Sequence, residues 1–361
     1  MKKKQFFVDC HVFDGNSQGT TTYLKGLYQE LIKDRNINYF LAAYDIENLK
    51  EVFGTHDNVY YLKYSSKNKF IRLLFNIPKL ITQNNIDYAH FQYVIPPIKK
   101  CKYIVTIHDV LFLDFPQYFP FLYRLKNNLL FKYSAKKSDI VLTVSQYSKE
   151  RIEMHFNIND VKIIPNAVDL TYFEKYNKEN EVQIVKEKFN LENYFLLVSR
   201  WEPRKNHLTL LKTFVENGYY KKYKLVFVGD DAIENKRYVD YYNVLENEVK
   251  EQIVSLKKIG FHDLVHLVRA ATLSVYPSFA EGFGIPPLES SASSIPTVCS
   301  NTTAMSDFKF IGKCLFDPSS SDDLNLKIKI ALQDNLIEEK RSQAHSKYKW
   351  DLSAKSFKEI T

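Results

Sequence analysis

The chain has 361 residues, 45% hydrophobic and 25% charged, which is the profile of a globular protein long enough for two domains. Its formal charge of +8 is lopsided, because residues 1–170 hold 23 Lys/Arg against 16 Asp/Glu and so carry nearly all of it. No apolar run approaches the roughly 20 residues of a membrane span, and four scattered cysteines without a C-x-x-C pair argue against a disulfide framework.

The opening Met1-Lys-Lys-Lys-Gln-Phe-Phe-Val-Asp9 has three apolar residues before a charge. That is too short for a signal-peptide core, so a first strand is expected at Gln5–Val8. The segment Asp14-Gly-Asn-Ser-Gln18-Gly19-Thr-Thr-Thr-Tyr23 follows and opens a helix over Thr21–Lys33. Further strands are predicted at Tyr39–Ala43, Val59–Leu62, Tyr88–Phe91, Tyr103–Ile107, Ile140–Val144 and Lys162–Ile164. The Tyr103–Ile107 run ends in His108-Asp109, which places a histidine at a strand's carboxyl end.

Two stretches concentrate the positive charge, Lys63–Lys79 and Arg124–Lys137, and neither contains an acid. Both interleave cations with apolar side chains, among them Phe70, Leu74 and Phe75, then Leu125, Leu129 and Phe131. Such segments fit an anionic membrane surface or an ordinary solvated helix face. No nucleic-acid module accompanies them, so nucleic acid is not an expected partner.

The polar segment Asn166–Glu192 reads as a linker. Beyond it, strands are predicted at Tyr194–Val198, Lys224–Val228, Val254–Leu256, Leu273–Tyr276, Thr297–Cys299 and Cys314–Phe316. Helices are predicted at Thr209–Glu216, Asp240–Glu248 and Asp323–Leu336. Alternating strands and helices imply parallel sheets covered on both faces, with ligands outside the strands' carboxyl ends. The expected architecture is α/β: two Rossmann-like domains facing across a cleft. The expected boundaries are 1–168, a linker at 169–192, a second domain at 193–340, and a C-terminal helix within 341–361 crossing back to the first domain.

Two strand ends in the second half carry chemistry. Tyr194–Val198 leads into Ser199-Arg200-Trp-Glu-Pro-Arg204-Lys205-Asn206-His207, three cations before a helix. Leu273–Tyr276 leads into Ser278-Phe-Ala-Glu281-Gly282-Phe283-Gly284-Ile-Pro-Pro-Leu-Glu289, two carboxylates eight residues apart around a glycine turn and a helix start, predicted at Leu288–Ser294. Glycines allow close backbone approach, and a helix start offers N–H groups to an anion. Carboxylates flanking such a cradle suit a ligand with hydroxyls on both sides of a phosphate, as in a nucleotide sugar. Cations there suit a diphosphate leaving group, on which charge develops as the glycosidic bond breaks.

These motifs resemble those of retaining glycosyltransferases of the family 4 type (glycosyl transferases group 1), which have the GT-B fold. The resemblance runs from Gly19 to Phe316-Asp-Pro318. It implies that Arg200 and Lys205 bind the donor diphosphate and that His108 lies near the donor sugar's hydroxyls. It also implies that Gly19 belongs to the glycine loop and that Phe261, after Gly260, contacts the base. Glu281 is then expected to hold sugar hydroxyls, Glu289 the ribose, and Gly282, Phe283 and Gly284 the donor. Arg204 is expected to serve as a packing or salt-bridge residue. Departures are Thr20, Ala167, Ser199 and Ser294 where the family has glycine.

The implied function is transfer of a hexose, with GDP-mannose favoured as donor, to a lipid-linked oligosaccharide in bacterial surface-polysaccharide assembly (O-antigen, capsule or exopolysaccharide). The implied setting is cytoplasmic, peripheral on the inner face of the cell membrane. No residue stands out as a nucleophile, which favours same-face displacement. No cofactor and no metal are expected: His262-Asp-Leu-Val-His266 lacks the Glu of the zinc helix motif, and Asp230-Asp231 lacks Asp-x-Asp spacing. A nicotinamide oxidoreductase is disfavoured for want of a G-x-G-x-x-G turn. A non-catalytic sugar-nucleotide sensor remains an alternative.

Overall fold

The computed structural model describes residues 3–15 and 19–361. It divides into two compact units, Met1–Ala167 with Trp350–Thr361, and Val168–Lys349. The stretch Asn16-Ser-Gln18 of the expected glycine loop lies outside the described residues.

Unit 1 holds seven parallel strands: β1 Lys4–Asp9, β2 Ile37–Ala43, β3 Val59–Lys63, β4 Tyr88–Gln92, β5 Lys102–Thr106, β6 Ile140–Thr143 and β7 Lys162–Ile163. Their order across the sheet is β3-β2-β1-β4-β5-β6-β7. Unit 2 holds six: β8 Tyr194–Val198, β9 Lys224–Val228, β10 Ile253–Leu256, β11 Leu273–Tyr276, β12 Thr297–Ser300 and β13 Leu315–Phe316, in the order β10-β9-β8-β11-β12-β13. Each predicted strand is present, displaced by two residues at most. Apolar runs such as Phe195-Leu-Leu197 and Leu225-Val-Phe227 are buried on both faces, as strands of a helix-covered parallel sheet must be.

Both sheets reverse direction once, between β1 and β4 and between β8 and β11. At such a reversal the loops leaving two adjacent strands diverge to opposite faces, opening a crevice at their carboxyl ends. In unit 2 the diverging loops are those after β8 and β11, which carry the two motifs read from the sequence.

Three expectations require correction. The 169–192 segment is no bare linker: it belongs to unit 2 and carries the helix Lys178–Phe189. Glu181 of that helix is buried and accepts hydrogen bonds from Arg269 at 3.2 Å, while the Lys178 ammonium donates to the carbonyls of Arg269 and Ala271. Polar side chains that pair with one another made a packed helix look like a tether. The helix predicted at Asp240–Glu248 is two, Lys236–Asn243 and Asn247–Lys250, because Glu246 is extended and caps the second. The helix predicted at Asp323–Leu336 spans Ser321–Ala331, and a turn at Leu332-Gln333 ends it.

The C-terminal region holds two helices, Ile337–Lys347 in unit 2 and Trp350–Ile360 in unit 1. The second packs on the helix Gly19–Leu31. A Cβ on Gly26 would sit 2.0 Å from the Trp350 ring, so only glycine admits the indole. Phe357 lies against the rings of Phe6, Tyr28 and His90. Burying a side chain of this size contributes about 1.5–3 kcal/mol, which anchors the chain's end to unit 1.

Candidate active site

The loops after β8 and β11 are knitted together by backbone and amide hydrogen bonds. Phe279 N–H donates to the Arg204 carbonyl at 2.8 Å. Asn206, at φ +58°, donates through Nδ2 to the carbonyls of Pro277 at 3.0 Å and Pro318 at 2.9 Å. Asparagine is one of the few residues that adopt a left-handed conformation readily, and here that turn also aims Lys205.

Lys205 Nζ lies 2.5 Å from Glu281 Oε1, although the two are 76 residues apart. Arg204 reaches the other oxygen, Oε2, at 3.1 Å, and donates to the Ala280 carbonyl at 2.9 Å. Ser278 Oγ donates to Glu281 Oε1 at 2.8 Å, and the Glu281 N–H donates to Thr303 Oγ1 at 2.9 Å. The Glu281 side chain is only 14% exposed. Burial would raise its pKa, but the Lys205 and Arg204 charges outweigh burial and bring it down to about 2. Burial lowers the Lys205 pKa, with Glu281 opposing. An ionised cluster therefore waits at the switch point.

Arg200 is not in that cluster. Its side chain is 56% exposed and its nearest carboxylate is Glu202, at 3.8 Å. Glu202 also binds Arg204 Nε at 2.8 Å, so it lies between the exposed cation and the buried ones. Arg204, expected as a salt-bridge residue, is one, and its bridge holds Glu281. Glu202, Ser278 and Thr303 were not singled out from sequence, since short polar residues in loops carry no signal until a partner is seen.

Gly284 caps the helix Ile285–Ala292 at φ +100°. A Cβ there would also press on Met305 Cγ at 3.0 Å and Phe308 at 3.3 Å, so glycine is required twice over. This helix starts three residues before the predicted Leu288. Pro286 and Pro287 then occupy its second and third positions and remove two of the N–H groups expected to face an anion. The helix start keeps the N–H groups of Gly284 and Ile285. The Phe283 side chain is buried edge-on against Phe308 and Tyr348, which leaves its backbone as the part available to a ligand.

Glu289 and Phe261 flank Tyr172. Phe261, 44% exposed, meets the Tyr172 ring edge-on at 6.0 Å, and burial, with ionised Glu289 adding to it, raises the Tyr172 phenol well above its usual pKa. Burial, reinforced by Asp169, raises the Glu289 pKa to about 8. Glu281 and Glu289 thus differ in charge at neutral pH, one ionised by its cations and one kept protonated by burial beside Asp169. Ser294, after this helix, adopts φ +55°, a conformation that suits the glycine it replaces.

In unit 1, His108 follows β5 and is buried. Its Nε2 is 2.7 Å from Gln92 Oε1, and its ring meets Tyr23 edge-on at 5.0 Å. Burial lowers its pKa to about 3, so the imidazole is neutral. Gly19 begins the helix that carries Tyr23, and among the described residues no atom lies within 4 Å of where its Cβ would be. Of the expected decoys, His266 Nδ1 pairs with Glu181 at 2.5 Å and Asp231 with Lys257 at 2.5 Å. No group of three or more metal-ligating side chains occurs among the described residues.

Comparison with known proteins bears on this geometry. Residues 178–350 match the family model described as "Glycosyl transferases group 1", and residues 17–172 match "Glycosyltransferase Family 4". The O-antigen chain mannosyltransferase RfbU of Salmonella typhimurium is 31% identical over 62% of this chain and 59% of its own length. The O-antigen chain mannosyltransferase B of Escherichia coli is 28% identical over 69% and 67%. The chain thus spans about three-fifths to two-thirds of these relatives. The crystal structure of Anabaena HepE with UDP and glucose superimposes with a TM-score of 0.74 at 16% identity, covering 99% of each chain. That likeness shows the fold, which is GT-B.

Proposed function

The chain belongs to the group 1 glycosyl transferases, and on that premise we propose that it is a retaining hexosyltransferase that uses a nucleotide-diphosphate sugar. The observation that carries the reading is the Lys205–Glu281–Arg204 cluster, held at the switch point beside the Gly284 turn. The names of the relatives support mannose as the sugar and an O-antigen-type chain as acceptor; GDP-mannose as donor and a lipid carrier for that chain complete the reading from the family resemblance. A cytoplasmic enzyme working peripherally at the membrane is what the family resemblance implies for it. No described helix is long and apolar enough to cross a bilayer.

In this reading Lys205 and Arg200 bind the donor diphosphate, and Glu281 holds the sugar hydroxyls from its fixed position. Gly282, Phe283 and Gly284 supply backbone to the donor, Phe261 a face for the base, and Glu289 acceptors for the ribose. The acceptor hydroxyl attacks the anomeric carbon as the bond to the diphosphate breaks. Its proton passes to the departing phosphate oxygen on the same face. Developing charge on that phosphate is met by preorganised cations, the largest usual source of rate enhancement. The buried neutral His108 is assigned to hydrogen bonding with sugar hydroxyls. Gly19 is assigned to backbone approach in unit 1.

The test is incubation with GDP-mannose, UDP-glucose and other donors in turn, reading sugar transfer to a lipid-diphosphate acceptor and the anomeric configuration of the product. No transfer from any donor, with nucleotide binding intact, would favour the sensor alternative instead. Because Lys205 and Arg200 supply the positive charge, activity is expected to persist in excess chelator. Loss that magnesium or manganese restores would show that a metal carries the diphosphate.

The protonated state of Glu289 makes a pH prediction. A carboxylate accepting from two ribose hydroxyls must first lose its proton. Nucleoside-diphosphate affinity should therefore rise from pH 6.5 toward about 8 and then level off. Below that pKa each unit costs up to about tenfold. Calorimetry in buffers of different ionisation enthalpy should show proton release on binding. Glu289→Gln should weaken binding and flatten the profile; an unchanged slope would remove Glu289 from the ribose.

A further inference from the structure

A buried polar chain runs from the helix Gly19–Leu31 to His108 and plays no part in the reaction steps assigned above. His90 and Gln92 alternate along β4 and so share one face of the sheet. Gln92 is the register partner of Thr106 on β5, two residues before His108. The Tyr28 hydroxyl lies 2.7 Å from His90 Nδ1, and Thr106 Oγ1 lies 2.8 Å from His90 Nε2. Gln92 then bridges the two histidines, with Nε2 at 3.3 Å from His90 Nε2 and Oε1 at 2.7 Å from His108 Nε2. His90, Gln92, Thr106 and His108 are all buried, where an unpaired polar group is costly, so each proton in the chain needs a partner.

The surroundings hold the His108 ring still. Tyr93, directly after Gln92, has φ +61°, a left-handed conformation that bulky residues rarely adopt and that persists where a site requires it. Its ring lies 5.3 Å from the imidazole and stacks on Phe131 at 4.8 Å. Tyr23 meets the imidazole edge-on at 5.0 Å and is backed by Trp350 of the C-terminal helix at 6.2 Å. Phe357 of that helix lies 5.4 Å from His90. An amide oxygen can only accept, so the 2.7 Å contact puts a proton on His108 Nε2. Burial keeps the imidazole neutral, and a neutral ring carries one proton. Nδ1 is then a bare lone pair, and among the described residues no hydrogen bond reaches it.

We propose that Gln92 is a positioning residue that holds His108 as the Nε2–H tautomer, so that Nδ1 acts only as an acceptor and selects donor sugars that present a hydroxyl to it. A deoxy carbon at that position leaves the lone pair unpaired. A carboxylate oxygen, as in a uronic acid, meets it lone pair to lone pair. The selection of sugars rests on the sugar contact assigned to His108 under the proposed function; the tautomer does not, so the two can fail separately.

The first measurement uses the full chain, free of ligands, with isotope-labelled histidine. Long-range proton–nitrogen correlation spectra separate protonated from bare ring nitrogens, and the signals missing from His108→Gln assign residue 108. Nε2 is expected to carry the proton and Nδ1 to be bare. Gln92→Met should turn this into a mixture of tautomers, whereas Gln92→Glu, which still accepts, should keep Nε2–H. A proton on Nδ1 in the unmodified chain, or an unchanged pattern in Gln92→Met, would overturn the proposal. The second measurement compares donor analogues in which each sugar hydroxyl is replaced in turn by hydrogen or by fluorine, which cannot donate. At one position both replacements should lower kcat/KM by about ten- to a hundredfold, the cost of leaving a buried acceptor unpaired, and His108→Ala should erase that penalty. Gln92→Met should lower kcat/KM with nucleoside-diphosphate affinity unchanged. Fluorine restoring what hydrogen loses, or a penalty at every position that survives His108→Ala, would overturn the acceptor role. Nε2–H observed in a chain that transfers no sugar would uphold the role of Gln92 and fail the transferase reading alone.

Discussion

Lys205→Ala is expected to lower turnover by about 10²–10³-fold, the usual cost of losing one preorganised charge contact to a developing anion. The fold should survive, because Glu281 keeps Arg204 at 3.1 Å and Ser278 at 2.8 Å and so is not left as an orphan buried charge. Arg200→Ala should cost turnover similarly with still less effect on stability, since its side chain is 56% exposed and its ion pair with Glu202 is long, at 3.8 Å. Steady-state rates and thermal midpoints measured side by side separate the two readouts. Turnover near that of the unmodified chain in both variants would overturn the diphosphate assignment.

Glu281→Gln should lower turnover by a comparable factor through a different route. The carboxylate neutralises Lys205 and Arg204 in the free protein and thereby competes with a phosphate for them. Without it, nucleoside-diphosphate affinity should stay the same or rise while turnover falls. The free protein should also lose about 1–3 kcal/mol of stability, because Lys205 loses the carboxylate it pairs with while Arg204 keeps Glu202. Added nucleoside diphosphate should restore the midpoint by binding the folded state. Weaker nucleotide binding together with normal turnover would refute this role for Glu281.

Much of this protein was determined by sequence alone. Runs such as Phe195-Leu-Leu197 bury both faces only as interior parallel strands, so composition and spacing identified every strand in chain order. Gly284 and the two carboxylates after β11, and the cations after β8, were legible because each motif is local. The packed helix at Lys178–Phe189 was not legible, since its buried polar residues are satisfied by Arg269 and by the carbonyls of Arg269 and Ala271 about 90 residues away.

Only the tertiary structure decided which cations serve which carboxylate. Sheet order sets β8 beside β11, and Asn206 then ties their loops, so Lys205 and Arg204 meet Glu281 while Arg200 stays in solvent. The same holds for Arg72, a surface cation by pattern and a core partner of Asp9 in the fold. It holds too for the two carboxylates, alike in sequence. Neighbouring cations drive Glu281 down to about 2, and burial beside Asp169 drives Glu289 up to about 8. A residue's type is set by its codon, but its charge is set by what the fold brings within a few ångströms of it.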